Sequence, residues 1–213
     1  MRIKIAPSIL SADRTKLNEE VKEIEPCSDL IHVDVMDGKF VPPVTFKASE
    51  IKAVKSKLPK DVHLMVQHPI KDGFIGSCSD AGASIITIHE ECRDNIDEAF
   101  KLIKSRGIKA GISINPPTHL DKINPYIDKV DMVLIMSVNP GYAGQKFMPD
   151  VLPKIKELRK LKPNLDIEID GGINKETVKQ AVKAGANVIV AGSSIFGQKD
   201  RKKAIEELRA AAK

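Results

Sequence analysis

The feature that most constrains this chain is a rhythm. Short, nearly uninterrupted apolar runs recur at residues 3–8, 30–35, 62–66, 84–89, 109–114, 132–137, 166–170 and 187–191. Runs of this kind suit parallel strands buried on both faces. Between them lie amphipathic stretches at 15–24, 48–58, 95–106, 151–161, 175–184 and 202–212, punctuated by glycines such as Gly107 and Gly185. The connections at 70–80 and 120–126 carry a weaker helical pattern. Strands that alternate with helices imply a parallel sheet with right-handed crossovers. Eight such units close into a (β/α)8 barrel, the TIM-barrel architecture, expected here as one catalytic domain over residues 1–213. A barrel of this type typically takes about 250 residues and at least about 200, so its loops must be trimmed. The rival, an open doubly wound sheet, usually carries a glycine-rich turn after its first strand. Here that turn, SILSAD at residues 8–13, has no glycine.

The net charge of +5 and a pI near 9.0 favour anionic small molecules. They do not make a nucleic-acid face, because Lys and Arg are interspersed with Asp and Glu, as in residues 202–209. Aromatics are only 4% of the chain and Trp is absent, which leaves no base-stacking platform. Cys27, Cys78 and Cys92 match no zinc spacing and suggest a reduced, cytoplasmic protein. No apolar run approaches the roughly 18 residues of a membrane span. Residues 1–5, MRIKI, lead directly into a strand and lack the apolar stretch of a secretion signal.

In a barrel, chemistry sits at the C-terminal ends of the strands. His32 and Asp34 are two apart on the second strand and so share a face. His63 comes from the next strand, after Asp61, and Asp170 ends the seventh. An inward His and Asp are costly to bury unpaired. Two imidazoles and two carboxylates on one axis are a donor set for a divalent ion. Taken singly, an inward His is more often a satisfied core residue and an Asp at a strand end a turn or cap; the four together argue otherwise. Gly171 and Gly172 follow strand seven, and Gly192 and Ser193 follow strand eight, where barrels commonly hold phosphate on backbone N–H groups. Gly141 and Gly144 after strand six could close over the same anion. Met36, Met65 and Met136, each at this rim, could form an apolar collar.

These residues resemble one family. HVDVMDGKFVP (32–42), DVHLMV (61–66), MSVNPGYAGQKF (136–147), IDGGIN (169–174), AGSSIFG (191–197) and PSILSAD (7–13) together are similar to the motifs of the ribulose-phosphate 3-epimerases, across nearly the whole chain. The resemblance implies that His32, Asp34, His63 and Asp170 bind one divalent metal, zinc first, with iron, manganese or cobalt as alternatives. It implies that Asp34 and Asp170 are the acid–base pair. Ser8 would hydrogen-bond near the substrate, together with His63, and Met36, Met65 and Met136 would line the reacting centre. Gly141, Gly144, Gly171, Gly172, Gly192 and Ser193 would lie on the phosphate side. It also implies a homo-oligomer, dimer or hexamer, working on a sugar phosphate in the cytoplasm.

The chain departs from the family pattern at Lys39, Pro43, Ala143, Pro117 and His119, and the first two alter the loop beside the site. His68, His89 and His119 have no assigned role, although His89 lies close to Glu90 and Glu91 at a strand end. Three rivals remain: an epimerase of a hexulose 6-phosphate, a metal-free decarboxylase and a barrel that binds sugar phosphates without turning them over. The decarboxylases share an Asp-x-Lys-x-x-Asp strand motif, whereas residues 34–37 here read DVMD, without the lysine.

Overall fold

The computed structural model describes residues 2–213. Its strands are β1 (Lys4–Pro7), β2 (Ile31–Met36), β3 (Lys60–Met65), β4 (Ala83–His89), β5 (Lys109–Ile114), β6 (Met132–Met136), β7 (Asp166–Asp170) and β8 (Val188–Ala191). All seven ladders are parallel, in the order β1-β8-β7-β6-β5-β4-β3-β2. The helices are α1 (Leu17–Ile24), α2 (Ala48–Ala53), α3 (Phe74–Asp80), α4 (Ile96–Ser105), α5 (Leu152–Leu161), α6 (Thr177–Ala184), α7 (Ser193–Phe196) and α8 (Arg201–Ala211). β1 and β2 close the ring with little hydrogen bonding. Ser8 and His32 form one parallel bridge, and the Asp29 N–H donates to the Ile5 carbonyl at 2.9 Å. This is the expected (β/α)8 barrel.

Side-chain alternation along the strands divides the interior in two. Outward residues such as Ile5, Val33, Leu64, Ile86, Ile112 and Ile167 join the helices in one apolar core. Each fully buried aliphatic side chain contributes about 1.5–3 kcal/mol. The inward set is mixed. Ala6, Leu30, Ile85, Met132, Val188 and Val190 make a separate apolar plug. His32, Asp61, His63, Thr87, Ser113 and Glu168 are also inside, each with 0% exposure. Space there is tight: a Cβ at Gly111 would stand 2.3 Å from Thr87 Oγ1.

The boundaries differ from expectation at informative places. β1 stops at Pro7, and Ser8 instead caps a 3-10 turn at Ile9–Ser11. β3 begins at Lys60 rather than residue 62, which brings Asp61 into the sheet. The helix expected over 48–58 ends at Ala53. Glu25 captures the following residues, accepting from Ser56 Oγ at 2.9 Å and from the Lys57 N–H, and Pro59 disfavours helix before it. Over 120–126 only a 3-10 turn forms, Leu120–Ile123, so β5 is followed by no α-helix among the described residues. Lys154 on α5 supports that connection by donating to the carbonyls of Pro116 and Thr118 at 2.6 Å each. The short α7 starts at Ser193, directly after the Gly192 that follows β8.

Arg159 on α5 ties the helix layer to the sheet. Its guanidinium donates to the carbonyls of Gly185 (3.0 Å) and Leu165 (2.7 Å) and to Asn187 Oδ1 (2.8 Å). Arg159→Met is expected to cost about 2–3 kcal/mol by stranding these acceptors, which corresponds to a fall of about 5–10 °C in Tm for a chain of this size. A thermal melt followed by circular dichroism checks this, and an unchanged midpoint would contradict it.

Candidate active site

Four side chains meet at the rim of the barrel. β2 presents His32 and Asp34 on one face, β3 sets His63 directly opposite Asp34 in the register, and β7 ends on Asp170. One ligand atom from each of the four lies within 4.8 Å of the others. Asp34 is the hub. Its Oδ1 is 3.3 Å from His32 Nε2 and 3.1 Å from His63 Nδ1, and its Oδ2 accepts from Ser8 Oγ at 2.6 Å. The sequence expectation that these residues converge is met in the geometry.

The far nitrogen of His32 shows whether the cluster fits a cation. His32 Nδ1 is 2.8 Å from Asp61 Oδ2, and a carboxylate there requires Nδ1 to carry hydrogen. In the neutral ring Nε2 then keeps a lone pair, aimed at Asp34 and without a hydrogen-bond partner among the described residues. A lone pair facing a carboxylate in a dry interior calls for positive charge between them. A divalent ion with N and O donors fits that requirement, as does a proton.

The electrostatics agree. Burial disfavours charge on His32, but Asp34 and Asp61 outweigh it and hold the imidazole well above its ordinary range. Burial would raise Asp34, yet His32 and His63 keep it far below the usual carboxylate range. His63 is pushed down to about 4, mainly by burial, with the Asp34 carboxylate 3.1 Å from its Nδ1 opposing. Asp170 is raised to about 7 by burial and by the negative charge of Asp34. Asp34 is therefore held ionised and suited to act as a base, while Asp170, with its raised proton affinity, is suited to hold and deliver a proton near neutral pH.

A cavity opens above this cluster. Ser8, Asp34 and Asp170 are among its polar residues, and Met36, Met65 and Met136 supply the apolar collar. Gly141, Gly144, Gly171, Gly172, Gly192 and Ser193 line it as well. The glycine at 172 is required, since its φ is +63° and a Cβ would fall 2.3 Å from the Phe147 nitrogen. His32 and His63 do not reach the cavity wall; they sit behind Asp34. Lys39 also turns away, with its ammonium on Asp72 at 2.8 Å, outside the cavity. His68 pairs with Asp94 at 2.8 Å, away from the site.

Sequence reading passed over two buried groups beneath the four. Asp61 and Glu168 lie with His32 in a second cluster whose ligand atoms are all within 4.8 Å. Burial and the charge of Asp61 push the Glu168 carboxyl well above its ordinary range. Each lies two residues before a recognised one on the same strand, Asp61 before His63 and Glu168 before Asp170. The period of two that paired His32 with Asp34 would have found both.

The family model described as the Ribulose-phosphate 3 epimerase family matches residues 4–196. The chain belongs to the ribulose-phosphate 3-epimerase family. As a member it is an enzyme, an isomerase of carbohydrates. The ribulose-phosphate 3-epimerase of Bacillus subtilis (strain 168) is 48% identical, with 97% of this chain and 98% of that one covered. That of Escherichia coli (strain K12) is 43% identical over 96% and 94%. A rice relative (Oryza sativa subsp. japonica), 43% identical over 97% and 92%, is named a cytoplasmic isoform. Among solved structures, KGPDC from Streptococcus mutans superposes with a TM-score of 0.76 at 12% identity, covering 99% of this epimerase and 97% of that chain. The 3-hexulose-6-phosphate synthase of Salmonella typhimurium gives 0.72 at 21% identity, over 99% and 98%. At such identities the likeness speaks for the barrel alone. No helix among the described residues is long and apolar enough to cross a membrane.

Metal-stripped protein titrated with Zn2+ in a calorimeter is expected to take up one ion per chain, and Asp34→Ala to lose that uptake. Full-affinity binding by Asp34→Ala would remove the four-residue cluster as the ion's site. Lys39→His, on a side chain turned away from the cavity, is expected to leave kcat and KM unchanged in steady-state kinetics.

Proposed function

We propose that this epimerase interconverts ribulose 5-phosphate and xylulose 5-phosphate by moving a proton at C3. The observation that carries the reading is the placement of Asp34 and Asp170 in one cluster beside one cavity. They come from strands three steps apart around the ring and meet beside one cavity, one held ionised and the other raised to about 7. Inversion beside a ketone needs such a pair, a base on one face of the carbon and an acid on the other.

In one direction Asp34 removes the C3 proton, and the electron pair moves into the C2–C3 bond and onto the carbonyl oxygen. Asp170 then delivers its proton to the opposite face of C3, and the carbonyl re-forms. The reverse reaction exchanges the two roles. Ser8 Oγ donates to Asp34 and keeps the carboxylate oriented. A divalent ion held by His32, Asp34, His63 and Asp170 would supply positive charge to the enediolate oxygens. Zinc is the first candidate, with iron, manganese and cobalt suited to the same two nitrogens and two oxygens. Met36, Met65 and Met136 exclude water from the carbanionic centre, and the glycine-lined wall takes the phosphate on backbone N–H groups, fixing C3 between the aspartates. The same reading gives the epimerase a cytoplasmic location and a homo-oligomeric state, dimer or hexamer, on the likeness to its family.

Proton NMR of ribulose 5-phosphate in D2O tests the proposal. The wild-type protein is expected to introduce deuterium at C3 and to yield xylulose 5-phosphate, and a chelator to stop both. Asp170→Asn is expected to lower formation of xylulose 5-phosphate by about 10²–10⁴-fold. Full activity of that variant would overturn the two-aspartate mechanism, and no exchange by the metal-supplemented wild type would move the assignment to another ketose phosphate.

A further inference from the structure

His89 is fully buried on β4, yet the proposed reaction gives it nothing to do. It touches His63 on the neighbouring strand: its Nε2 lies 2.8 Å from His63 Nε2, and the two rings meet edge to edge with their planes 28° apart and their centroids 4.9 Å apart. Its Nδ1 lies 3.0 Å from Glu91 Oε2. The Phe40 ring, from the loop after β2, packs 4.7 Å from the His89 ring. Glu91 is itself fixed. Its Oε1 accepts from the Asn115 N–H at 2.9 Å and from the Thr118 hydroxyl, in the connection after β5 that Lys154 braces.

Two facing imidazole nitrogens at 2.8 Å cannot both be acceptors, and the direction of the bond follows from its far end. Glu91 uses Oε1 for two donors, so Oε2 is the acceptor for His89 Nδ1–H. Neutral His89 then presents a lone pair at Nε2, and His63 must donate from Nε2–H. The lone pair of His63 is left on Nδ1, 3.1 Å from Asp34 Oδ1 and facing the four-residue cluster. We infer that Glu91 and His89 are positioning residues that hold His63 in the Nε2–H tautomer and in the ring orientation that offers Nδ1 to a divalent ion. The inference rests on the reading of His63 as an ion ligand. It does not depend on which sugar phosphate is turned over.

The rival is that His89 is a core histidine with satisfied hydrogen bonds and no bearing on the ion. Glu91→Gln separates the two at nearly constant shape. The single amide oxygen stays with Asn115 and Thr118, which supply two donors, so the NH2 group faces His89 Nδ1. The relay then reverses: His89 donates from Nε2, His63 accepts there, and its hydrogen moves to Nδ1, against the ion. Metal-stripped wild type, Glu91→Gln and His89→Phe are titrated with Zn2+ in competition with a chromophoric chelator. Both variants are expected to bind about 10–100-fold more weakly than the wild type. Affinities equal to wild type in both variants, with only the melting temperature of metal-free protein lowered, would leave His89 a core residue and overturn the inference. A two-bond 15N–1H correlation spectrum of wild-type protein loaded with Zn2+ decides the matter without any variant. A protonated Nε2 on His63 supports the arrangement, and a protonated Nδ1 overturns it. Zn2+ uptake by the wild type together with unchanged variants would sink only this inference, whereas no uptake by the wild type would sink the ion reading as well.

Discussion

Everything at the rim depends on Asp34, a carboxylate buried in the barrel and flanked by two imidazoles. Such a charge is tolerated inside a protein only when its surroundings return what water would have given. Here Ser8 donates to one oxygen and the two rings approach the other. Its low proton affinity follows from that environment, and the raised affinity of Asp170 follows from its own burial together with the negative charge of Asp34. One buried charge thus contributes to both the base and the acid.

The barrel makes this arrangement feasible because its strands are rigid and their pleat fixes which way each side chain points. β2 and β3 are in register over six residue pairs, so His63 meets Asp34 without help from any loop. Loops carry the other tasks. The connections after β6, β7 and β8 bring backbone close to the cavity, where glycine is needed for room as much as for conformation. The connection after β5 has no α-helix of its own and is held from outside by Lys154.

The strands were legible because eight buried parallel runs have little to confuse them with, and the four rim residues because they interrupt apolar strands with charge. The phosphate-side glycines were legible by position, after strands seven and eight. Less visible was whatever depends on contacts between distant segments. Nothing local in residues 48–58 says that Glu25 takes over the chain after Ala53. The outward turn of Lys39 depends on Asp72, thirty-three residues on. Asp61 and Glu168 are hard to read for another reason: they lie below the strand ends, where the polar character of this barrel continues. The part played by His89 is not legible in the sequence, because only the fold brings it against His63 on the neighbouring strand.

The seam between β1 and β2 is the joint of the barrel with the fewest hydrogen bonds, and the bridge that closes it joins Ser8 to His32. Both residues belong to the rim: one secures Asp34 by its hydroxyl, and the other flanks it. Loosening the barrel at its weakest joint would therefore disassemble the reaction centre in the same movement. Anything that fills the centre would act as a clasp on the ring, so that architecture and occupancy are linked through a single pair of residues.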